Sequence, residues 1–95
     1  MQTRDIILDK KKAVGMEIPL PNAVLVMAVG EKGYVMCGYL NLETAEKLED
    51  AAAVVTGVKN IDDLLEAKII AVTSQAGKRG VKVGMKGKTA LTKLS

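Results

Sequence analysis

Residues 23–41 read Ala23-Val24-Leu25-Val26-Met27-Ala28-Val29-Gly30-Glu31-Lys32-Gly33-Tyr34-Val35-Met36-Cys37-Gly38-Tyr39-Leu40-Asn41, and the fold of the 95-residue chain turns on them. Ala23 to Val29 is apolar at every position. A strand apolar on both faces belongs at the centre of a sheet or at an interface. Gly30-Glu31-Lys32-Gly33 is a turn with glycine at both ends, and a returning strand, Tyr34 to Leu40, completes a hairpin. That returning strand holds the single cysteine, Cys37, and the only two aromatic residues, Tyr34 and Tyr39.

Upstream lies a second hairpin. Ile6 to Leu8 is a short apolar run and Asp9 to Lys12 a charged turn. Ala13 to Ile18 then alternates, with Val14, Met16 and Ile18 on one face and Gly15 and Glu17 on the other. Pro19 and Pro21 stop this strand, since proline cannot donate to a ladder. Residues 1–40 therefore read as four strands, predominantly antiparallel.

Downstream the period changes. Asn41 is placed to cap a helix whose apolar stripe is Leu42, Ala45, Leu48 and Ala52. Glu43, Glu46, Lys47, Glu49 and Asp50 cover its outer faces. Ala53 to Val58, interrupted by Gly57, reads as a strand. Asn60 caps a short helix, Ile61 to Glu66, whose acidic first turn complements the helix dipole. Ile69 to Thr73 reads as a strand, and Ser74 starts a turn or two of helix that Gly80 closes. A terminal helix from Gly84 to Lys93 presents Met85, Leu91 and Leu94 as its apolar face. The expected fold is a single α+β domain over residues 1–95. Its mostly antiparallel or mixed β-sheet grows from the N-terminal β region and is covered by three to four short helices.

Composition narrows the chemistry. With no Phe and no Trp, the core must be built from Val, Ile, Leu, Met and Ala. The lack of large aromatic side chains favours subunit association as a further source of burial. There is no His, so the usual general base and commonest metal ligand are missing. One Cys makes neither an intrachain disulfide nor a cysteine-rich zinc site, so neither metal nor cofactor is expected. No apolar segment approaches the roughly 18 residues of a membrane span, and the start lacks a signal-peptide pattern. A soluble, cytoplasmic protein is expected.

The net charge of +3 is unevenly spread. Residues 1–66 carry seven Lys/Arg against eleven Asp/Glu, whereas residues 67–95 carry seven Lys/Arg and no acid. Such asymmetry can mark an anion or nucleic-acid face. One Arg and no stacking platform in that third favour a solvated basic surface instead.

Three blocks carry a resemblance. They are Gly33-Tyr34-Val35-Met36-Cys37-Gly38; Gly57-Val58 with Ile61-Asp62-Asp63-Leu64-Leu65; and Val81-Lys82-Val83-Gly84-Met85-Lys86-Gly87 before Ala90-Leu91. In order and spacing they resemble the YunC-like domain-of-unknown-function family of small bacterial and archaeal proteins, from about Ile18 to Leu94. The resemblance implies an α+β fold whose N-terminal β region serves tetramerisation. It implies no established activity and supplies no catalytic residues.

Site candidates follow from the residues themselves. Cys37 is the one nucleophile candidate, but mid-strand and without a histidine it reads as packed rather than reactive. Tyr34 and Tyr39, an odd number apart, point to opposite faces of a strand. Gly84-Met85-Lys86-Gly87-Lys88-Thr89 superficially resembles a phosphate loop, but Lys82 stands where a Walker pattern requires glycine. A small anion held at this helix start, with Lys82, Lys86 and Lys88 nearby, is the residual form of that idea. The carboxylates offer no acid/base pair.

The leading expectation is a small homo-oligomer joined through its β region. The first alternative is an anion or nucleotide binder, or an enzyme, with a site between Cys37 and the segment Thr73–Lys88; Tyr34, Thr73, Lys82, Gly84, Lys86 and Gly87 are its candidate ligand residues. The second alternative is nucleic-acid binding through the basic residues 68–93.

Overall fold

The computed structural model describes residues 1–95. Six strands and four helices follow in the order β1 (Gln2–Leu8), β2 (Lys11–Pro19), β3 (Val24–Val29), β4 (Tyr34–Met36), α1 (Leu42–Lys47), β5 (Ala52–Val54), α2 (Ile61–Glu66), β6 (Ala71–Val72), α3 (Ser74–Lys78) and α4 (Gly87–Lys93). All six strands lie in one sheet in chain order. Every pairing is antiparallel except β4 with β5, the two strands that α1 connects. The chain is thus the expected α+β fold with a mixed sheet.

The two faces of the sheet are covered unequally. On one face Ile6, Leu8, Ala13, Val26, Ala28, Val35, Ala53 and Val55 meet Ile61 and Leu64 of α2, Ala76 of α3 and Leu91 and Leu94 of α4 in a single buried cluster. Gly15 lies on this face because a Cβ there would stand 2.7 Å from Ile61 Cδ1. On the other face α1 shields only the β4–β5 end, where Met36, Ala45, Ala52 and Val54 form a smaller cluster. The alternation of side chains places Ile7, Val14, Met16, Ile18, Leu25, Met27 and Val29 on that same face. None of the seven is buried, and Ile7 is 68% exposed.

Several boundaries differ from the expectation. The returning strand stops at Met36 rather than Leu40, so Cys37 and Tyr39 lie beyond it. The cause is local: Val26 N–H donates to Cys37 Sγ (3.4 Å), and the Cys37 carbonyl accepts from Leu40 N (3.3 Å). A ladder acceptor is thereby replaced by sulfur, and the freed carbonyl closes a turn. Helix α1 ends at Lys47, which leaves Leu48 68% exposed and Ala52 in β5, so the four-residue stripe shrinks to Ala45 and half-buried Leu42. Glu49 follows in the left-handed region (φ 62°), where the Schellman-type bond from Asp50 N to Ala45 O (3.0 Å) turns the chain. Thr73, not Ser74, caps α3. Helix α4 begins at Gly87 because Gly84, at φ 97°, belongs to a preceding turn. Strands β5 and β6 are shorter than expected, and β1 is longer.

Candidate functional site

A cavity of about 360 Å³ opens beyond the carboxyl ends of the parallel strands β4 and β5. Its walls are the turn Cys37-Gly38-Tyr39 after β4, the segment Thr56-Gly57-Val58 after β5, and Ala23 and Val24 at the start of β3. In open sheets, crevices at the carboxyl ends of parallel strands are common ligand positions. Gly57 turns the chain there at φ 72° with nothing within 4 Å of its Cβ position. Tyr39 stands 51% exposed among the wall residues. The strand–helix–strand alternation around α1 was visible in the sequence, but the parallel pairing that places Thr56 and Gly57 beside Cys37 was not.

Cys37 is 4% exposed. Its sulfur accepts the Val26 N–H, and its backbone N–H donates to Val26 O at 3.1 Å. Both ends of the residue are thus committed to β3, a structural task in keeping with a packed thiol. A thiol reagent at neutral pH should accordingly react at least about tenfold more slowly with folded than with denatured protein. Fast stoichiometric labelling of the folded chain would overturn the packed assignment.

The other candidates do not join this cavity. Tyr34 donates its hydroxyl to Asp50 Oδ2 (2.8 Å). Burial first, then that hydrogen bond, pushes the phenol up to about 12. Because the folded-state value is raised, the contribution of this pair is complete below pH 10 and lost as pH climbs towards 12. Thr73 is 1% exposed. Its hydroxyl donates to Asp50 O (2.7 Å) and accepts from Ala52 N (3.0 Å) and Ala76 N (3.3 Å). One donor and two acceptor sites are all a hydroxyl has, so Thr73 keeps nothing for a ligand. Tyr34 and Thr73 meet through Asp50, a residue that nothing in its local sequence marks out.

The segment from Lys82 to Gly87 is held against α2. Lys68 and Lys86 form an isolated antiparallel bridge, and Lys86 Nζ lies 3.0 Å from Glu66 Oε2 across the surface. Gly87 N–H donates to Ala67 O (2.7 Å). A Cβ on Gly87 would overlap the Leu64 carbonyl oxygen. Glycine at this position serves close packing of α4 on α2. None of the cavities is lined by Lys82, Gly84, Lys86 or Gly87.

An α+β chain with a six-stranded mixed sheet, helices packed mainly on one face and a cavity at the carboxyl ends of β4 and β5 is the class of protein these observations define. The chain belongs to the YunC-like family: residues 36–94 match the family described as Domain of unknown function (DUF1805). It is 34% identical to the uncharacterized protein YunC of Bacillus subtilis (strain 168), over 94% of this chain and 92% of that one. The crystal structure of TA1206, a protein of unknown function from Thermoplasma acidophilum, superposes with a TM-score of 0.94 at 39% identity, covering 99% of this chain and 92% of the other.

Proposed function

We propose that this chain acts as a subunit of a homo-oligomer, assembling through the outer face of its β1–β3 region. The observation behind this reading is the apolar face itself. Ile7, Val14, Met16, Ile18, Leu25, Met27 and Val29 project from three adjacent strands on the side that α1 covers only at the Met27 end, with Thr3 and the Asp5–Lys12 ion pair at the β1 margin of the same face. An apolar patch on β2 and β3 rimmed by polar β1 residues marks an association site rather than ordinary exposure. The assembly also meets a need of the chain, whose core lacks Phe and Trp. A tetramer is the assembly that the family resemblance leads one to expect. The alternative small-ligand reading rests on the cavity beside Cys37 alone, since Lys82, Lys86 and Lys88 line none of the cavities.

Multi-angle light scattering at micromolar concentration should give a mass well above the 10.1 kDa of one chain. Val14→Lys places a charge in the middle of the face without touching the buried cluster, and should weaken association by about 100-fold or more while leaving far-ultraviolet circular dichroism unchanged. A monomeric parent protein would refute the proposal, as would a Val14→Lys variant of undiminished affinity.

A further inference from the structure

Three of the five methionines stand in one row across the sheet. Met16 of β2 pairs directly with Met27 of β3, and Met27 pairs directly with Met36 of β4. Directly opposed residues share a face, so all three thioethers lie on the side that α1 covers only at one end. Met36 is sealed beneath α1 at 1% exposure, whereas Met16 and Met27 are only half-buried. Met27 also lines a groove of about 340 Å³ with Tyr34, Met36, Leu40, Ala45 and Leu48. The remaining two methionines are elsewhere: Met1 is 79% exposed, and Met85 packs on the main core cluster.

We infer that Met16 and Met27 are a peroxide-sensitive modification site that controls assembly, an inference that rests on the oligomeric reading above. A lone pair of the thioether sulfur attacks one oxygen of hydrogen peroxide and the O–O bond breaks. Sulfur is oxidised by two electrons to the sulfoxide, and the peroxide is reduced to water. The product carries a strong hydrogen-bond acceptor in place of a soft apolar atom. In a sheet-to-sheet contact that acceptor must shed its water, and the backbone N–H groups of β2 and β3 are engaged within the sheet. The Thr3 hydroxyl opposite Met16 is the one nearby side-chain donor on β1, and Met27 has none on its strand neighbours Met16 and Met36. Met16 and Met27 are only half-buried in the single chain, and the proposed assembly would cover them. Oxidation therefore traps the dissociated state, and reduction by methionine sulfoxide reductases restores assembly. Met36 is protected in either state by α1.

The test is to treat the full chain with hydrogen peroxide and follow each methionine by peptide mass mapping alongside light scattering. Met16 and Met27 should oxidise more slowly as protein concentration rises, whereas Met1 should not. Their oxidation should weaken association at least about tenfold. Met16→Leu with Met27→Leu, which keeps the face apolar at similar volume, should stay assembled under the same treatment although Met1 is oxidised. Met16→Gln with Met27→Gln, which places permanent acceptors in the row, should dissociate without peroxide. A parent protein that remains assembled with both sulfoxides in place overturns the inference alone, as does a leucine variant that dissociates equally. A parent protein that is monomeric before treatment overturns the oligomeric reading and this inference together.

Discussion

Gly87→Ala is expected to lower the stability of this protein by about 3 kcal/mol or more, a large share of the roughly 5–15 kcal/mol that holds a small domain folded. Taken as helix propensity alone the sign would be opposite, since alanine is favoured over glycine in a helix by about 1 kcal/mol. Packing decides otherwise. Gly87 is buried at the first position of α4, and an added methyl would overlap the backbone oxygen of Leu64 rather than the end of a flexible side chain. To relieve the overlap, α4 must move off α2. That movement breaks the bond from Gly87 N to Ala67 O and loosens Ala90, Leu91 and Leu94, each 0% exposed. Gly77→Ala in α3 is the matched control. Nothing lies within 4 Å of its Cβ position, so that change should stabilise by about 0.5–1 kcal/mol. Urea unfolding measures both. A Gly87→Ala midpoint equal to or above the parent value would show that α4 seats differently.

The second large effect is expected at Thr73. Thr73→Val preserves shape and removes only the hydroxyl, yet it should cost about 2–4 kcal/mol. Three groups lose their partner at once: Asp50 O loses a donor, and the N–H groups of Ala52 and Ala76 lose an acceptor. Ala52 is itself 0% exposed, so water cannot take over without opening β5. Thr73→Ser retains the hydroxyl and should recover most of the loss. If valine is as stable as threonine, the hydrogen bonds are not what holds this junction; if valine and serine both lose stability, the methyl group contributes beside them. Either result is read from the unfolding midpoint at neutral pH.

How far the sequence reaches can be judged at these same residues. Asn60 and Ile61–Glu66 were legible in full, because cap, acidic first turn and apolar spacing all act locally. The hairpins were legible for the same reason. Cys37 reads as mid-strand, since nothing in its neighbours reveals that sulfur takes the Val26 N–H and lets the chain turn. Thr73 stands out in the sequence, but its task does not. The partners that saturate its hydroxyl are set by the β5–β6 pairing and by Asp50, which lies far off in the chain. The alternation in β2 showed two faces without showing which one the helices would take. Gly15, not Val14 or Met16, faces α2, because Ile61 needs the space that a missing side chain provides.

The order of the strands has a kinetic consequence. Each strand of the sheet pairs only with its neighbours in sequence; the three N-terminal pairings close through short turns, whereas β4–β5 and β5–β6 wait on the longer segments that carry α1 and α2. The sheet can therefore zip up from β1 in the direction of synthesis. Its inner face is different. Leu91 and Leu94 belong to the main cluster and follow all six strands, so the apolar side of a growing sheet is only partly covered, by α2 and α3, until α4 arrives. A nascent chain of this protein carries most of its strands before it owns a sealed core, which makes the interval before residue 94 the one in which chaperones have most to cover.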